Sequence, residues 1–486
     1  MFSLNKKNDK RTATLILAFL LTMSVLTGCS LFGNRSNSGD TNLAAGEETN
    51  QPQMPYNGEM SKAIPFVYTT NKELSLTFNG MGDEEIMAKL LDELDRYRIK
   101  ATFFLPGERV AEEPDIANEI LARGHEIENN TLNQLDLTNL TYEQVYKEIH
   151  VSNEVIKKET GVTPQYLRTR SGDYNDNVRL AAAQSGLSGV VSYSLNLHEW
   201  QNETEQEKAN YIRKYVTRGG IIALDSELDT HVLESVPFIA KAAEDVGYKL
   251  IPLRKLIESG HERKPLEQIP GYDAAKINLN YKDAKYQLIN NLGMNKKIVS
   301  LTFDDWGTDY TVTKLLDILA KYNIKATFFL RANGAEKNPN LAKAIADAGH
   351  DVANHTYSHP VITKITPEQL QQEVVKAHQV ITEAIQQKPT MLFRPPTGAI
   401  DDDRARMVAA TGYTDIAMYD VTVFDWDSAS DADHIVNGIL DQTVSGSIIL
   451  LHMLDDIHTI EALPIAIEKL RSKGYEFVPM SQMALK

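Results

Sequence analysis

The chain has 486 residues, 42% hydrophobic and 24% charged, too long for one small domain and with enough apolar material for two substantial cores. Its formal net charge of -16, with no basic stretch beyond about the first dozen residues, disfavours a nucleic acid or an anionic lipid surface as its partner, because rows of phosphates could not be neutralised. Cys29 is the single cysteine, so no disulfide can form within the chain.

In chain order, a basic start (Lys6, Lys7, Lys10, Arg11) precedes an apolar run over 13–26. That order is the n- and h-region order of a secretory signal, and the run is too short to span a bilayer comfortably. Leu26-Thr27-Gly28-Cys29 closes it and resembles a bacterial lipobox, which implies a lipid on Cys29, cleavage before it and an extracytoplasmic protein anchored to the cell membrane. An uncleaved anchor with an incidental cysteine is the alternative, and it too leaves the bulk of the chain outside the cytoplasm. Residues 1–29 are thus expected as a lipoprotein signal. Residues 30–62, rich in Asn, Ser, Gly, Glu and Gln, cannot bury a core and are expected as a flexible tether.

The rest of the chain repeats itself. Tyr97-x-Ile99-Lys100-Ala101-Thr102-Phe103-Phe104-Leu105 recurs as Tyr322-x-Ile324-Lys325-Ala326-Thr327-Phe328-Phe329-Leu330, an offset of 225 (322 − 97). The same offset carries Ser75-Leu76-Thr77-Phe78 onto Ser300-Leu301-Thr302-Phe303 and Gly124-His125 onto Gly349-His350. Short β-rich runs such as 298–303 and 326–330 alternate with amphipathic stretches such as 312–321 and 341–348, which predicts repeated βα units and a parallel sheet or barrel. Thr366-Pro367-Glu368-Gln369 and Thr141-x-x-Gln144 have the spacing of capping boxes that open long helices. Two tandem domains follow, over 63–262 and 296–486, with 263–295, polar and punctuated by Pro and Asn, expected as a linker with one short helix.

In the second copy, the strand over 299–303 ends in Asp304-Asp305, placing two carboxylates at the C-terminal edge of a buried strand, where α/β enzymes commonly hold their sites. Like charges so close repel unless a cation or proton separates their roles. His355 and His359 stand four apart, a spacing that on a helical turn points both imidazoles the same way. Two histidines and one carboxylate form a common site for Zn²⁺ or a similar ion, although a His-x-x-x-His pair alone is more often a solvent-facing helix surface. Phe393-Arg394-Pro395-Pro396-Thr397-Gly398 sets an arginine before two residues without an N–H, so that Thr397 is the first amide donor after Arg394. Asp425-Trp426 and a strand ending in His452 complete the set.

The order Thr-Phe-Asp-Asp, His-x-x-x-His, Arg-Pro-Pro-x-Gly, Asp-Trp, Leu-Leu-His, spread over about 297–480, resembles the NodB-type polysaccharide deacetylases of carbohydrate esterase family four. Resemblance implies a distorted (β/α) barrel, hydrolysis of N-acetyl groups from GlcNAc- or MurNAc-containing polymers, and one divalent metal, Zn first with Co, Ni or Mn as alternatives. It also implies roles: Asp304 as general base, tethered by Arg394; Asp305, His355 and His359 as metal ligands; a backbone N–H near Thr397 for the oxyanion. His452 would protonate the departing amine, Asp425 would raise its pKa, and Trp426 would wall the acetyl pocket. Two departures, Trp306 before Gly307 and Thr397 where the family often has tyrosine, are expected to alter the groove and not the chemistry, and Val421-Thr422-Val423 upstream of Asp425, where the family often has Val-Asp-Thr, is expected to have a modest effect on substrate.

In the first copy the equivalent positions are Asn79, Gly80, Asn130, Gln134 and Asp225, so every metal ligand is gone. Amides are poor ligands for a transition metal and no base at neutral pH, which predicts an inactive copy of the same fold that keeps Arg168, Glu199 and Trp200, more a spacer than a glycan binder. Competing readings are a non-catalytic, wall-binding lipoprotein and a hydrolase of the same mechanism on another substrate, such as an acetylated xylan or a cyclic amide. Oligomeric state is not legible. Cys29→Ser is predicted to release the protein from the membrane fraction at unchanged specific activity; a variant that stays with the membrane would refute the lipobox reading.

Overall fold

A computed structural model describes residues 58–197, 203–229, 231–291, 293 and 296–483. The signal, Cys29 and nearly all of the tether lie outside the described residues, as do Glu199 and Trp200. None of the described helices is long and apolar enough to cross a membrane.

Strands β1 (Lys62–Ile64), β2 (Glu73–Asn79), β3 (Thr102–Leu105), β4 (Glu126–Asn129), β5 (Tyr166–Leu167), β6 (Gly189–Val191), β7 (Leu195–Asn196), β8 (Ile221–Asp225) and β9 (Lys249–Leu250) form one sheet. Its order is β1-β6-β5-β4-β3-β2-β8-β7, with β9 on β2. The second copy repeats it with β10 (Gln287–Ile289), β11 (Ile298–Asp305), β12 (Thr327–Leu330), β13 (Asp351–Asn354), β14 (Leu392–Phe393), β15 (Asp415–Ala417), β16 (Val421–Thr422), β17 (Ile448–His452) and β18 (Glu476–Phe477), in the order β10-β15-β14-β13-β12-β11-β17-β16 with β18 on β11. Neighbouring strands run parallel throughout both sheets. Each sheet curls with helices on its outer side, an open (β/α) barrel of the expected kind, and in the second copy an isolated bridge between Asn291 and Ser447 draws the edges together.

Helices on one side and a curled interior on the other bury a parallel sheet on both faces. All eight residues of β11, Ile-Val-Ser-Leu-Thr-Phe-Asp-Asp, are accordingly buried. Phe303 stacks on Phe328 at 5.0 Å and, one repeat earlier, Phe78 on Phe103 at 4.8 Å. His350 and His125 pack edge-on against those rings, each taking a backbone N–H on Nδ1, from Ala326 and Ala101. Burial pushes both imidazoles down to about 4, so this repeated Gly-His pair is neutral core and not chemistry. The long helices Tyr142–Thr160 and Pro367–Ile385 begin with the expected reciprocal capping boxes.

Segment 263–295 departs from a linker. It holds a short 3-10 turn, Leu266–Gln268, but ends as β10, an edge of the second sheet paired with β15. Before that it is fastened to helix Pro367–Ile385: Gly271 O lies 2.8 Å from His378 Nε2, and Asn278 exchanges two bonds of 2.7 Å with Gln371. Side chains of the helix, His378 and Gln371, satisfy the backbone of this docked segment, which has no regular partner of its own, while most of the segment's own polar side chains stay exposed.

Candidate active site

Each expected site residue of the second copy stands at or just beyond the C-terminal end of a strand. Asp304 and Asp305 end β11, His355 follows β13, Arg394 follows β14 and His452 ends β17. Register sets Asp304 directly beside His452 across the β11–β17 ladder.

Arg394 is fully buried. Its Nη1 donates to Asp304 Oδ1 and to Thr302 Oγ1, both at 2.8 Å, its Nε to Ala417 O at 3.2 Å and its Nη2 to Met418 O at 2.9 Å. The guanidinium lies over the Phe329 ring, 4.1 Å from its centroid. Asp304 is thereby held in one orientation, with Oδ2 3.8 Å from His355 Nε2.

His355 Nδ1 lies 2.8 Å from Arg394 O. A carbonyl only accepts, so Nδ1 carries the proton and Nε2 presents a lone pair. Burial pulls the His355 pKa down, against the upward pull of Asp304 and Asp305. His359 Nε2 is 3.5 Å from Asp305 Oδ1. One ligand atom from each of Asp305, His355 and His359 lies within 4.8 Å of the others, the single such grouping among the described residues. Two imidazoles and one carboxylate, one imidazole already fixed in the metal-ready tautomer, fit a divalent ion with positions left for water and substrate.

The helical turn expected around the histidine pair does not form. Residues 355–359 are an irregular loop in which Thr356 and His359 are left-handed, at φ 66° and 65°. Side chains replace the helical ladder: Asn354 Oδ1 accepts from Thr356 N at 2.9 Å, Thr356 Oγ1 from His359 N at 3.1 Å, and Glu373 Oε2 from Tyr357 N and Ser358 N at 3.0 and 2.7 Å. With the spacing bent into a loop, the rings meet edge-on at 5.0 Å.

Opposite, His452 Nδ1 is 2.8 Å from Asp425 Oδ1, while Asp425 Oδ2 accepts from His452 N and from Thr459 Oγ1 at 2.8 and 2.7 Å. Burial works to lower the His452 pKa, but the hydrogen bond and charge of Asp425, with Asp304 and Asp305 behind, outweigh it and leave it raised. Trp426, 41% exposed, meets the His452 ring at 5.0 Å. Beside it stands Phe424, 55% exposed and 5.0 Å from the Trp426 ring, a rim aromatic that no motif singled out; its one sequence signal is adjacency to Asp425-Trp426. Thr397 is exposed and left-handed (φ 63°) in a short turn beyond β14. Trp306 is packed against helix Ala332–Lys337, so closely that a Cβ on Gly334 would come within 2.2 Å of it.

In the first copy, amides have taken over the ligand positions. Asn130 Nδ2 donates to Arg168 O at 2.8 Å, as His355 does to Arg394 O, and Asn130 Oδ1 accepts from Gln134 Nε2 at 2.5 Å and from Gly80 N at 3.2 Å. The Glu227 side chain lies across Gly80, within 2.8 Å of where a Cβ would stand. Gly80 has φ 75°, its counterpart Asp305 φ 77°. Glycine adopts that region freely and aspartate at a cost, so the second copy keeps a strained residue that the first has relaxed.

Comparison with known proteins places these features. A family model described as polysaccharide deacetylase matches residues 67–190 and 291–416, one segment in each copy and together just over half the chain. A peptidoglycan-N-acetylglucosamine deacetylase of Bacillus cereus is 37% identical over 193 residues, 39% of this chain and 69% of that protein. The peptidoglycan-N-acetylmuramic acid deacetylase PdaC of Bacillus subtilis is 32% identical over 192 residues, 39% of either chain. Among solved structures, the peptidoglycan N-acetylglucosamine deacetylase Bc1960 aligns at 34% identity and TM-score 0.39, over 41% of this chain and 92% of that one.

Asp305→Gly is predicted to stabilise the metal-free protein by about 1 kcal/mol, by releasing left-handed strain and like-charge repulsion, while zinc no longer survives dialysis. Thermal melts of both proteins in chelator check the first half. Equal or lower stability would contradict the strain.

Proposed function

The chain belongs to the polysaccharide deacetylase family, hydrolases of amide bonds, and from that premise we propose that it removes N-acetyl groups from N-acetylated cell-wall glycan, GlcNAc or MurNAc units, outside the cell. The second domain would do the work and the first would be catalytically silent. One observation carries the reading: the Asp305, His355 and His359 ligand atoms converge within 4.8 Å, with Asp304 beside them on its arginine. The names of the relatives favour peptidoglycan among the possible polymers.

Asp305, His355 and His359 would hold one divalent ion, Zn²⁺ first, with Co²⁺, Ni²⁺ or Mn²⁺ fitting the same donors. When bound, the ion would polarise the acyl carbonyl and acidify a water. Asp304, oriented by Arg394, would take the proton of the attacking water, and the amide of Thr397 would face the developing oxyanion. His452, held in its protonated form by Asp425, would give its proton to the departing amine. Trp426 and Phe424 would form the apolar rim on which a sugar ring and its acetyl group rest. A lipid on Cys29 would keep the enzyme at the membrane, facing the wall.

The first test is acetate release by the full chain from chitopentaose and peptidoglycan, with zinc and with chelator. Zinc-dependent release, reduced at least about 100-fold in Asp304→Asn, is expected; a variant as active as the parent would sink the assignment. The pH profile tests the acid. Because the His452 pKa is raised, its protonated form persists to higher pH, and activity falls as pH rises through that value. Asp425→Asn removes the raising influence, so the alkaline limb is expected to move to lower pH and kcat to fall, whereas an unmoved limb would remove His452 from the acid's role.

A further inference from the structure

The first domain holds no metal-ligand cluster among its described residues, yet its loop 217–220, leading into β8, reaches the second domain with bonds that a spacer does not need. Arg218, its side chain only 4% exposed, forms an ion pair with the wholly buried Asp309 of the second domain, Nε to Oδ1 at 3.2 Å. The same Nε also reaches Tyr248 Oη at 3.2 Å, Nη1 donates to Thr70 O at 2.9 Å and, across the junction, Nη2 donates to Thr313 Oγ1 at 2.7 Å. Asp309 also accepts from the Tyr248 hydroxyl and from Asn338 Nδ2. Beside the pair, Asn340 of the second domain donates to Val67 O and Arg218 O at 2.7 and 2.9 Å and accepts from Thr69 N at 3.2 Å. Gly219, at φ +70°, leaves no room there: a Cβ would come within 1.9 Å of Val67 O.

Asp309 is four residues beyond Asp305 and opens helix Asp309–Lys321. Its neighbour Thr308 donates through N and Oγ1 to Asp455 Oδ1 at 3.1 and 2.7 Å, and Thr311 Oγ1 joins at 2.5 Å. Asp455 is three residues beyond His452. Between these anchors the two loops touch backbone to backbone, since a Cβ on Gly307 would lie 1.9 Å from Met453 O, and Met453 N donates to Asp304 O at 3.2 Å. The chain of contacts therefore runs from Arg218 to the loops that leave Asp305 and His452.

Resting on the deacetylase reading, we infer that Arg218 is a positioning residue and that the first domain is an intramolecular buttress of the second domain's site. Two domains could adhere through apolar surface at less desolvation cost than a buried ion pair, but apolar contact slides, whereas five directional donors and their acceptors admit one register. Small displacements at a reacting centre cost rate steeply. The exposed pair Lys72–Asp317, 2.6 Å apart across the same junction with side chains 37% and 50% exposed, is the built-in control, being worth little.

The test uses the full chain, with zinc as the probe metal. In Arg218→Met the zinc dissociation constant, measured by chelator competition, is expected to rise about tenfold, and acetate turnover at saturating zinc to fall by about tenfold or more with KM nearly unchanged. Amide exchange over 306–311 should quicken. Arg218→Met/Asp309→Leu, which removes the stranded charge, should regain thermal stability without regaining zinc affinity or turnover. Lys72→Ala should match the parent throughout. Parental zinc affinity and turnover in Arg218→Met would overturn the buttress, as would recovery of both in the double variant, which would mark Arg218 as merely structural. If Arg218→Met fails to fold, Arg218→Lys carries the same comparison, with a smaller loss expected and parental values overturning the inference. A parent that binds zinc but releases no acetate would count against the deacetylase reading alone, and the zinc affinities would still decide the buttress.

Discussion

A guanidinium sealed from water must find an acceptor for each of its donors, and the arrangement of the second domain's site follows from where Arg394 finds them. Its acceptors come from β11 and from the end of β15, and its own carbonyl takes the proton of His355. One side chain thus braces the strand carrying Asp304 and Asp305, orients Asp304, and through its backbone sets the tautomer of a candidate ligand. Among the described residues the only carboxylate to which it donates is Asp304, and a buried pair of this kind is costly to break, because whichever partner remains is an uncompensated charge. Candidate base and candidate ligand are in this way built from the same buried contact.

The first copy shows how much of that contact is architecture. Arg168 repeats it with Thr77 Oγ1 at 2.7 Å, Val191 O at 3.3 Å and Ser192 O at 2.9 Å, over Phe104 at 4.2 Å. Asn79 replaces the carboxylate at 3.3 Å, and burial, no longer balanced by an anion, pulls the Arg168 pKa to about 9. A persisting arginine is therefore a mark of the fold and not of catalysis. What separates the copies is the set of groups beyond the strand ends, where Gly80 relaxes the backbone that Asp305 strains and an asparagine–glutamine pair satisfies itself in the ligand positions. Nor is the first copy only a spacer by its contacts: it places a buried arginine against the helix that follows the Asp304-Asp305 loop.

Much of this was legible without coordinates. The 225-residue offset, the strand-end carboxylates, the capping boxes and the loss of ligands in the first copy depend on local pattern and on comparing the chain with itself, and both survive in one dimension. The histidine pair was legible as a pair but not as a loop, because a spacing of four suits a helical turn as well as a chain bent by two left-handed residues and held by Asn354 and Glu373. The segment 263–295 misled for a related reason: its polar side chains mostly face water as a linker's would, while its backbone is bonded by Gln371 and His378 of helix Pro367–Ile385, and composition does not reveal that docking.

By itself, then, the sequence determined the βα repeat, which strands end in candidate site residues, and which copy keeps that residue set, since hydrophobic period and residue type are properties of neighbours along the chain. Only the tertiary structure decided that Arg394 meets Asp304 across 90 positions, that Asp425 serves His452 across 27, that Phe424 joins Trp426 at the rim, and that Arg218 crosses 91 positions to Asp309 in the other domain. Those pairings are set by the order of strands in a parallel sheet and by the packing of one domain on the next. In both, contact is governed by burial and hydrogen-bond satisfaction, not by distance along the chain.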